Sequence, residues 1–147
     1  MDAHDPLALE EQVCFALAVA SRSVISAYRP VLEPLGLTHP QYLVMLALWQ
    51  HDRVSVKRLG ELLHLEPATL SPLLKRLETA GLLERLRASY DERSLDITLT
   101  TRGMEMRVEA LKVPPAMLAT FGMTIDDLRR TNMMLHDIID AATAATS

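Results

Sequence analysis

Apolar positions in the first part of the chain fall at Leu9, Val13, Leu17, Ala20, Val24, Tyr28, Val31 and Leu35, stepping by threes and fours. That spacing predicts a long amphipathic helix. Asp5 followed by Pro6 has the form of an N-cap with proline at the first helical position, so the helix is expected to start there. Pro30 and Pro34 should kink or end it, and Gly36 should close it. Thr38-His39-Pro40-Gln41 has capping-box spacing and opens a second helix to about Gln50. Ser55 caps a third, from Val56 to about His64, and Glu66-Pro67 starts a fourth that Gly81 terminates. In the fourth, Leu70, Leu73, Leu74 and Leu77 share one face. Pro72 either bends this helix or marks its true start at Ser71-Pro72, and the residues alone leave both readings open.

From residue 83 the period changes to two. Leu86 sits between Arg85 and Arg87, and Leu95, Ile97 and Leu99 alternate with Ser94, Asp96 and Thr98. The polar ASYDER between them predicts a β-hairpin. Thr100 or Thr101 begins a fifth helix, interrupted at Pro114-Pro115, and Thr124 with Asp127 signs the start of a last helix over about 125–142. The order predicts a mostly α fold with a small β-hairpin wing, a winged helix-turn-helix framed by long helices. The outer helices carry Leu111, Val113, Met117 and Leu118, then Leu128, Met133, Leu135, Ile138 and Ile139. One small domain cannot bury all of these stripes, so the N- and C-terminal helices are expected to form a homodimer interface. The chain then divides into dimerisation and sensor helices (1–52), a DNA-binding domain (53–101) and C-terminal dimerisation helices (102–147).

Charge sharpens this picture. Of 147 residues, 15 are Lys or Arg and 19 are Asp or Glu, which argues mildly against nucleic acid when taken whole. Residues 53–107, however, hold ten of the basic and eight of the acidic residues. A basic middle between acidic ends is the asymmetry a segmental DNA-binding element produces. Apolar runs are broken well short of the ~18 residues that span a bilayer, and MDAHDPLALEE has no secretory pattern, so no membrane association and a cytoplasmic location are expected. The five histidines show no His-x-x-x-His spacing and there is one cysteine, so neither a metal site nor a cofactor is expected.

The leucine face of the fourth helix leaves Thr69, Ser71, Lys75 and Arg76 on its other faces. Short hydroxyls approach base edges and phosphates closely, and Lys and Arg supply charge, as a major-groove recognition helix requires. A solvated amphipathic helix is the alternative. Arg85 and Arg87 share a face of the first wing strand, and Asp91-Glu92-Arg93 lies toward the tip. Arginine on a narrow hairpin suits the minor groove, and Asp91 is close enough in sequence to hold the Arg93 guanidinium. The lone Cys14 reads on its own as a small buried hydrophobe. If the helix begins at Pro6, Cys14 lies in its third turn, beyond the reach of the helix dipole.

LSPLLKRLETAGLLER followed by DERSLDITLTTRG resembles the recognition helix and wing of the MarR family of transcription factors. QVCFALAVASR and AYRPVLEPLGLTHPQYLVMLALW resemble the organic-hydroperoxide-sensing branch of that family, of the one-cysteine type. The resemblance covers about residues 8–140. It implies a homodimeric repressor of double-stranded operator DNA carrying an inverted repeat, released when an organic hydroperoxide oxidises a cysteine near the start of helix 1. By position, Cys14 matches the sensor and Tyr28 a tyrosine that reaches the thiol from the other subunit. Asp91 and Arg93 match the wing pair, with Arg93 in the minor groove, and Thr69, Ser71, Lys75 and Arg76 match the recognition helix. His39 stands where a second thiol-contacting tyrosine is usual, Ala18 replaces another tyrosine, and Glu66-Pro67-Ala68 replaces a more hydroxyl-rich helix start. Tyr28 and His39 are therefore the expected tuners of the thiol, His39 adding charge if protonated. With no second cysteine, the oxidised thiol turns to a low-molecular-weight thiol or the other subunit. Two rivals stand beside this. An enzyme, a thiol peroxidase, lacks any acid/base constellation here; a MarR-type repressor of small lipophilic or phenolic effectors would make Cys14 a bystander.

Overall fold

Side-chain caps set four of the seven α-helix starts, but not the first. In the computed structural model, which describes residues 4–88 and 91–147 and leaves the side chains of residues 88–93 undescribed, the chain does not enter a helix at Pro6. The Asp5 carboxylate instead accepts from the Leu7 amide at 3.0 Å, and Leu9–Glu11 form one 3-10 turn. Gln12 is then extended, with its Nε2 donating to the carbonyls of Pro6 (2.7 Å) and Ala8 (3.0 Å). Helix α1 is Val13–Leu32. The Asp5-Pro6 start is thus corrected: local side-chain bonds satisfy the leading segment without a helix. Pro30 lies inside the last turn of α1, Pro34 in the 3-10 turn Glu33–Leu35, and Gly36 follows at φ 70.

Helix α2, His39–Gln50, opens on the expected capping box: the Gln41 amide donates to Thr38 Oγ1 at 3.4 Å and the Thr38 amide to Gln41 Oε1 at 3.0 Å. Strand β1 (Arg53–Ser55) leads into α3 (Val56–Leu63), capped by Ser55, and α4 spans Pro67–Thr79. Pro72 lies inside α4, so the start at Ser71-Pro72 is not the one adopted. Its missing amide removes the i→i−4 bond to the carbonyl of Ala68, an exposed residue. Strands β2 (Leu83–Ala88) and β3 (Asp91–Leu99) form the hairpin, and β1 adds to the far edge of β3 in an antiparallel sheet of order β1-β3-β2. Three residues are too few for periodicity to reveal β1.

Helix α5 is Thr101–Ala110, α6 is Val113–Phe121 and α7 is Ile125–Thr146. The break expected at Pro114-Pro115 falls just before them. Both prolines sit in the first turn of α6, where an amide would have no helical partner anyway. The α7 helix runs beyond the expected end near 142 and opens on Thr124 and Asp127, each bonding the other's amide at 3.1 Å.

The core joins Leu32 of α1, Val44, Met45 and Leu48 of α2, Leu59 of α3, the four leucines of α4, and Leu82, Leu83 and Ile97 at the root of the hairpin. Two polar ties brace it. Trp49 Nε1 donates to the Gly103 carbonyl at 2.9 Å, and Thr100 Oγ1 to the Gly81 carbonyl at 2.6 Å. Gly103 is required where it stands, because a Cβ there would lie 2.1 Å from the Leu82 carbonyl oxygen. By contrast, α7 buries none of its 22 residues. Among the described residues, no helix is long and apolar enough to cross a membrane.

Candidate nucleic-acid interface and thiol site

Burial of Leu70, Leu73, Leu74 and Leu77 turns the opposite side of α4 outward, and Thr69, Ser71, Lys75 and Arg76 are all exposed on it. On the hairpin, residues facing one side of β2 are Leu83, Arg85 and Arg87, since alternate strand residues share a face. Arg87 is exposed, whereas Arg85 is half-buried and engaged by Glu78 at the end of α4, Nη2 to Oε1 at 2.9 Å. That bond holds the Glu78 carboxyl below the usual carboxylate range. The sequence-predicted pair Asp91 and Arg93 lies in β3, and their side chains are outside the described residues. On the other face of the sheet, Asp96 is 8 % exposed and accepts from Arg53 Nε at 2.8 Å.

The thiol site is assembled differently from expectation. Because α1 begins at Val13, Cys14 is its second residue, within the first turn, where aligned peptide dipoles favour negative charge. The third-turn placement is therefore corrected, and so is the reading of Cys14 as core filler: the thiol is exposed. Its neighbours Val13 and Phe15 are exposed too, at 62 % and 39 %.

Tyr28 and His39 meet within one protomer, rings edge-on with centroids 5.3 Å apart, and Tyr42 lies 5.9 Å from Tyr28. Burial raises both tyrosines above their ordinary value, Tyr42 with a further push from Tyr28, so both hydroxyls are donors at neutral pH. Burial also lowers His39 below its ordinary value. As the first residue of α2 it faces a helix end that disfavours added positive charge. Both effects oppose the charge that His39 would add if protonated. Beside it lies a cavity of about 410 Å³ lined by Ile25, Arg29, Glu33, Leu37 and Pro40.

Cys14 and Tyr28 stand fourteen residues apart on one unbroken helix, about 21 Å at 1.5 Å per residue. They cannot touch within a protomer. Leu9 of the N-terminal arm, Val13 and Phe15 of the first turn of α1, and Met133, Met134, Ile138 and Ile139 of α7 are exposed. Scattered apolar residues are ordinary, but unburied apolar stripes on two helices are the kind of surface that marks an interface.

The model of the MarR family matches residues 37–95, from the start of α2 through most of the wing. Over 136 residues the chain is 39 % identical to the organic hydroperoxide resistance transcriptional regulator of Bacillus subtilis (strain 168), covering 92 % of each chain. The chain belongs to the MarR family. Among MarR-like solved structures, AbfR of Staphylococcus epidermidis superimposes with a TM-score of 0.78 at 32 % identity, covering 92 % of this chain and 94 % of that one. Reduced AbfR bound to DNA does so with a TM-score of 0.81 at 30 % identity, covering 95 % of both. As a MarR protein, this chain has its winged helix-turn-helix in α3, α4 and the β2–β3 hairpin, with the remaining helices as the frame. Sequence reasoning missed Tyr42, Glu78, Arg53 and Asp96. Tyr42 lies in the apolar run of α2 without a distinguishing pattern. The two ion pairs span separations of 7 and 43 residues that no local periodicity reports.

Proposed function

We propose that this protein is a homodimeric repressor of inverted-repeat operator DNA that lets go when an organic hydroperoxide oxidises Cys14. The observation that carries the reading is the placement of the thiol: exposed, in the first turn of α1, on an apolar surface left open in the protomer. Pairing that surface across a two-fold would bring Tyr28 and His39 of the partner subunit toward Cys14, a contact the ~21 Å separation forbids within one chain. The likeness to a hydroperoxide resistance regulator supports the same chemistry, and the likeness to a DNA-bound regulator supports the target. Thr69, Ser71, Lys75 and Arg76 would address the major groove, with Arg87 and Arg93 along the wing. No enzymatic turnover is part of this reading, and its setting is the cytoplasm.

The chemistry needs only one thiol. The thiolate attacks one oxygen of the peroxide; an S–O bond forms, the O–O bond breaks, and the alkoxide leaves as the alcohol after taking a proton. Cys14 becomes a sulfenic acid and the peroxide is reduced. A low-molecular-weight thiol then displaces water to give a mixed disulfide. The competing effector reading has one observation in its favour, a cavity of about 570 Å³ between the end of α1 and α5–α6, lined by Pro30, Val31, Leu35, Arg102 and Met106. One titration of the operator complex separates the two. Cumene hydroperoxide should release wild type but not Cys14→Ser, with intact mass reporting the oxide, and salicylate should release neither. Release of Cys14→Ser by peroxide would sink the sensor reading.

A further inference from the structure

The recognition helix and the wing are joined by a specific polar connection as well as by the core. Glu78, in the last turn of α4, receives three bonds from one residue of β2. Arg85 donates to Oε1 from Nη2 at 2.9 Å and from Nε at 3.3 Å, and its backbone amide donates to Oε2 at 3.2 Å. Both carboxylate oxygens are used, and the guanidinium is held side-on by two of its donors, a geometry lysine cannot reproduce. The two side chains are only 31 % (Arg85) and 38 % (Glu78) exposed. Lys75 and Arg76 on the same helix enter no ion pair among the described residues.

Position gives this pair its meaning. Arg85 is paired with Ile97 in the β2–β3 ladder, while Asp96, one residue earlier on β3, points to the opposite face and binds Arg53. The root of the hairpin is therefore tied on one face to α4, and on the other by the Arg53 side chain of β1, the edge strand that runs directly into α3. A wing that reads one groove while α4 reads another must keep a fixed pitch to that helix, because the two grooves have a fixed spacing.

We propose that Glu78 and Arg85 are positioning residues for DNA binding: they hold the wing at one pitch to the recognition helix, and Arg85 spends its guanidinium on Glu78 instead of on a phosphate. This rests on the DNA-binding reading above and gives Arg85 a positioning role in place of the direct contact expected from the sequence.

The two roles of Arg85 predict opposite signs for one substitution. If Arg85 were a phosphate contact restrained by Glu78, Glu78→Ala would remove an anion from beside DNA and free a cation, and affinity would rise. A positioning pair predicts that Glu78→Ala and Arg85→Ala each weaken operator binding, by about tenfold for a lost charge-assisted pair. Arg85→Lys, which keeps the charge, should lose nearly as much as Arg85→Ala. All three should also lose preference for A·T over G·C at the operator flanks, because a mispitched wing no longer reads them; a lost phosphate contact weakens all sequences alike. Glu78→Gln keeps the size and one acceptor and guards against misfolding, with an intermediate loss expected. The assay is fluorescence anisotropy on full-length dimers with A·T- and G·C-flanked operators. Wild-type binding tests the DNA reading; the order of the variants tests the pair. Glu78→Ala or Glu78→Gln binding as tightly as wild type, or Arg85→Lys retaining both affinity and flank preference, would overturn the proposal.

Discussion

If Tyr28 acts on Cys14 of the partner subunit, a dimer with Cys14→Ser in one chain and Tyr28→Phe in the other still contains one intact site. The argument is geometric. The ~21 Å between these residues along α1 is several times the ~3 Å reach of a hydrogen bond, so only the trans arrangement brings them together. In the mixed dimer, the surviving Cys14 belongs to the Tyr28→Phe chain and faces the unmodified Tyr28 of the other. The Tyr28 hydroxyl keeps its proton because burial raises it, so it is a donor over the whole working range. A hydrogen bond to a charged acceptor is worth about 1.5–3 kcal/mol, so losing it cuts the thiolate population about 10- to 100-fold where the thiol is mostly protonated. The more basic thiolate that remains is a better nucleophile, with a Brønsted coefficient near 0.4–0.5, which returns part of the loss. A net slowing of roughly 3- to 16-fold is expected for the Tyr28→Phe homodimer. The mixed dimer, isolated through two different tags, should instead react at the wild-type rate with half the wild-type stoichiometry. Trapping the sulfenic acid and following mass against time with cumene hydroperoxide measures both. A mixed dimer as slow as the Tyr28→Phe homodimer would refute the trans geometry.

Three further outcomes are expected. Burial depresses His39, so its folded-state proton affinity is below that of the unfolded chain. Its contribution to stability is whole above about pH 6.5 and is lost as pH falls through the folded value. Thermal unfolding of wild type should therefore fall more steeply than that of His39→Gln on the acid side, with Arg29 and Glu33 the charged groups facing it in its cavity; parallel curves would contradict this. Gly103→Ala places a Cβ against the Leu82 carbonyl and strains the Trp49 bond to the same residue, so a loss of about 3 kcal/mol or more in denaturant unfolding is expected. An unchanged midpoint would mean that α5 shifts freely. Removal of residues 124–147 should yield monomers by sedimentation, because no residue of α7 is fully buried within the protomer; a stable dimer would relocate the interface.

Capping chemistry made most of the fold legible. Thr38, Ser55, Thr100 and Thr124 each cap a helix as their spacing implies, and the leucines of α4 are buried in the order their periodicity gives. What was missed is non-local or too short to have a period. β1 is only three residues, and Arg53 finds Asp96 only once β1 has paired with β3. Glu78 and Arg85 flank the turn at Gly81, where neither helical nor strand spacing relates them. The prolines show the limit of treating a residue type as a stop signal. Pro30 and Pro72 stay inside helices, while Pro114 and Pro115 follow the break they were expected to cause.

The start of α1 is the place where a small error in reading changed the chemistry. Asp5-Pro6 is a sound start signal, but Gln12 offers the same segment a competing solution, bonding two carbonyls that a helix would otherwise have engaged. Shifting the start to Val13 moves Cys14 from a third turn to a first, where peptide dipoles contribute without any partner. The same shift puts Tyr28 at the opposite end of an unbroken helix, out of reach in its own chain. It also leaves the N-terminal arm, with Leu7 86 % and Leu9 58 % exposed, as apolar surface beside the thiol instead of a further turn beneath it. On the proposed function, the thiol site is split between the two ends of α1, and an antiparallel approach of two such helices would join the halves. Sensing and dimerisation then depend on one surface, so a change at an oxidised Cys14 is felt first at the interface that sets the spacing of the two recognition helices.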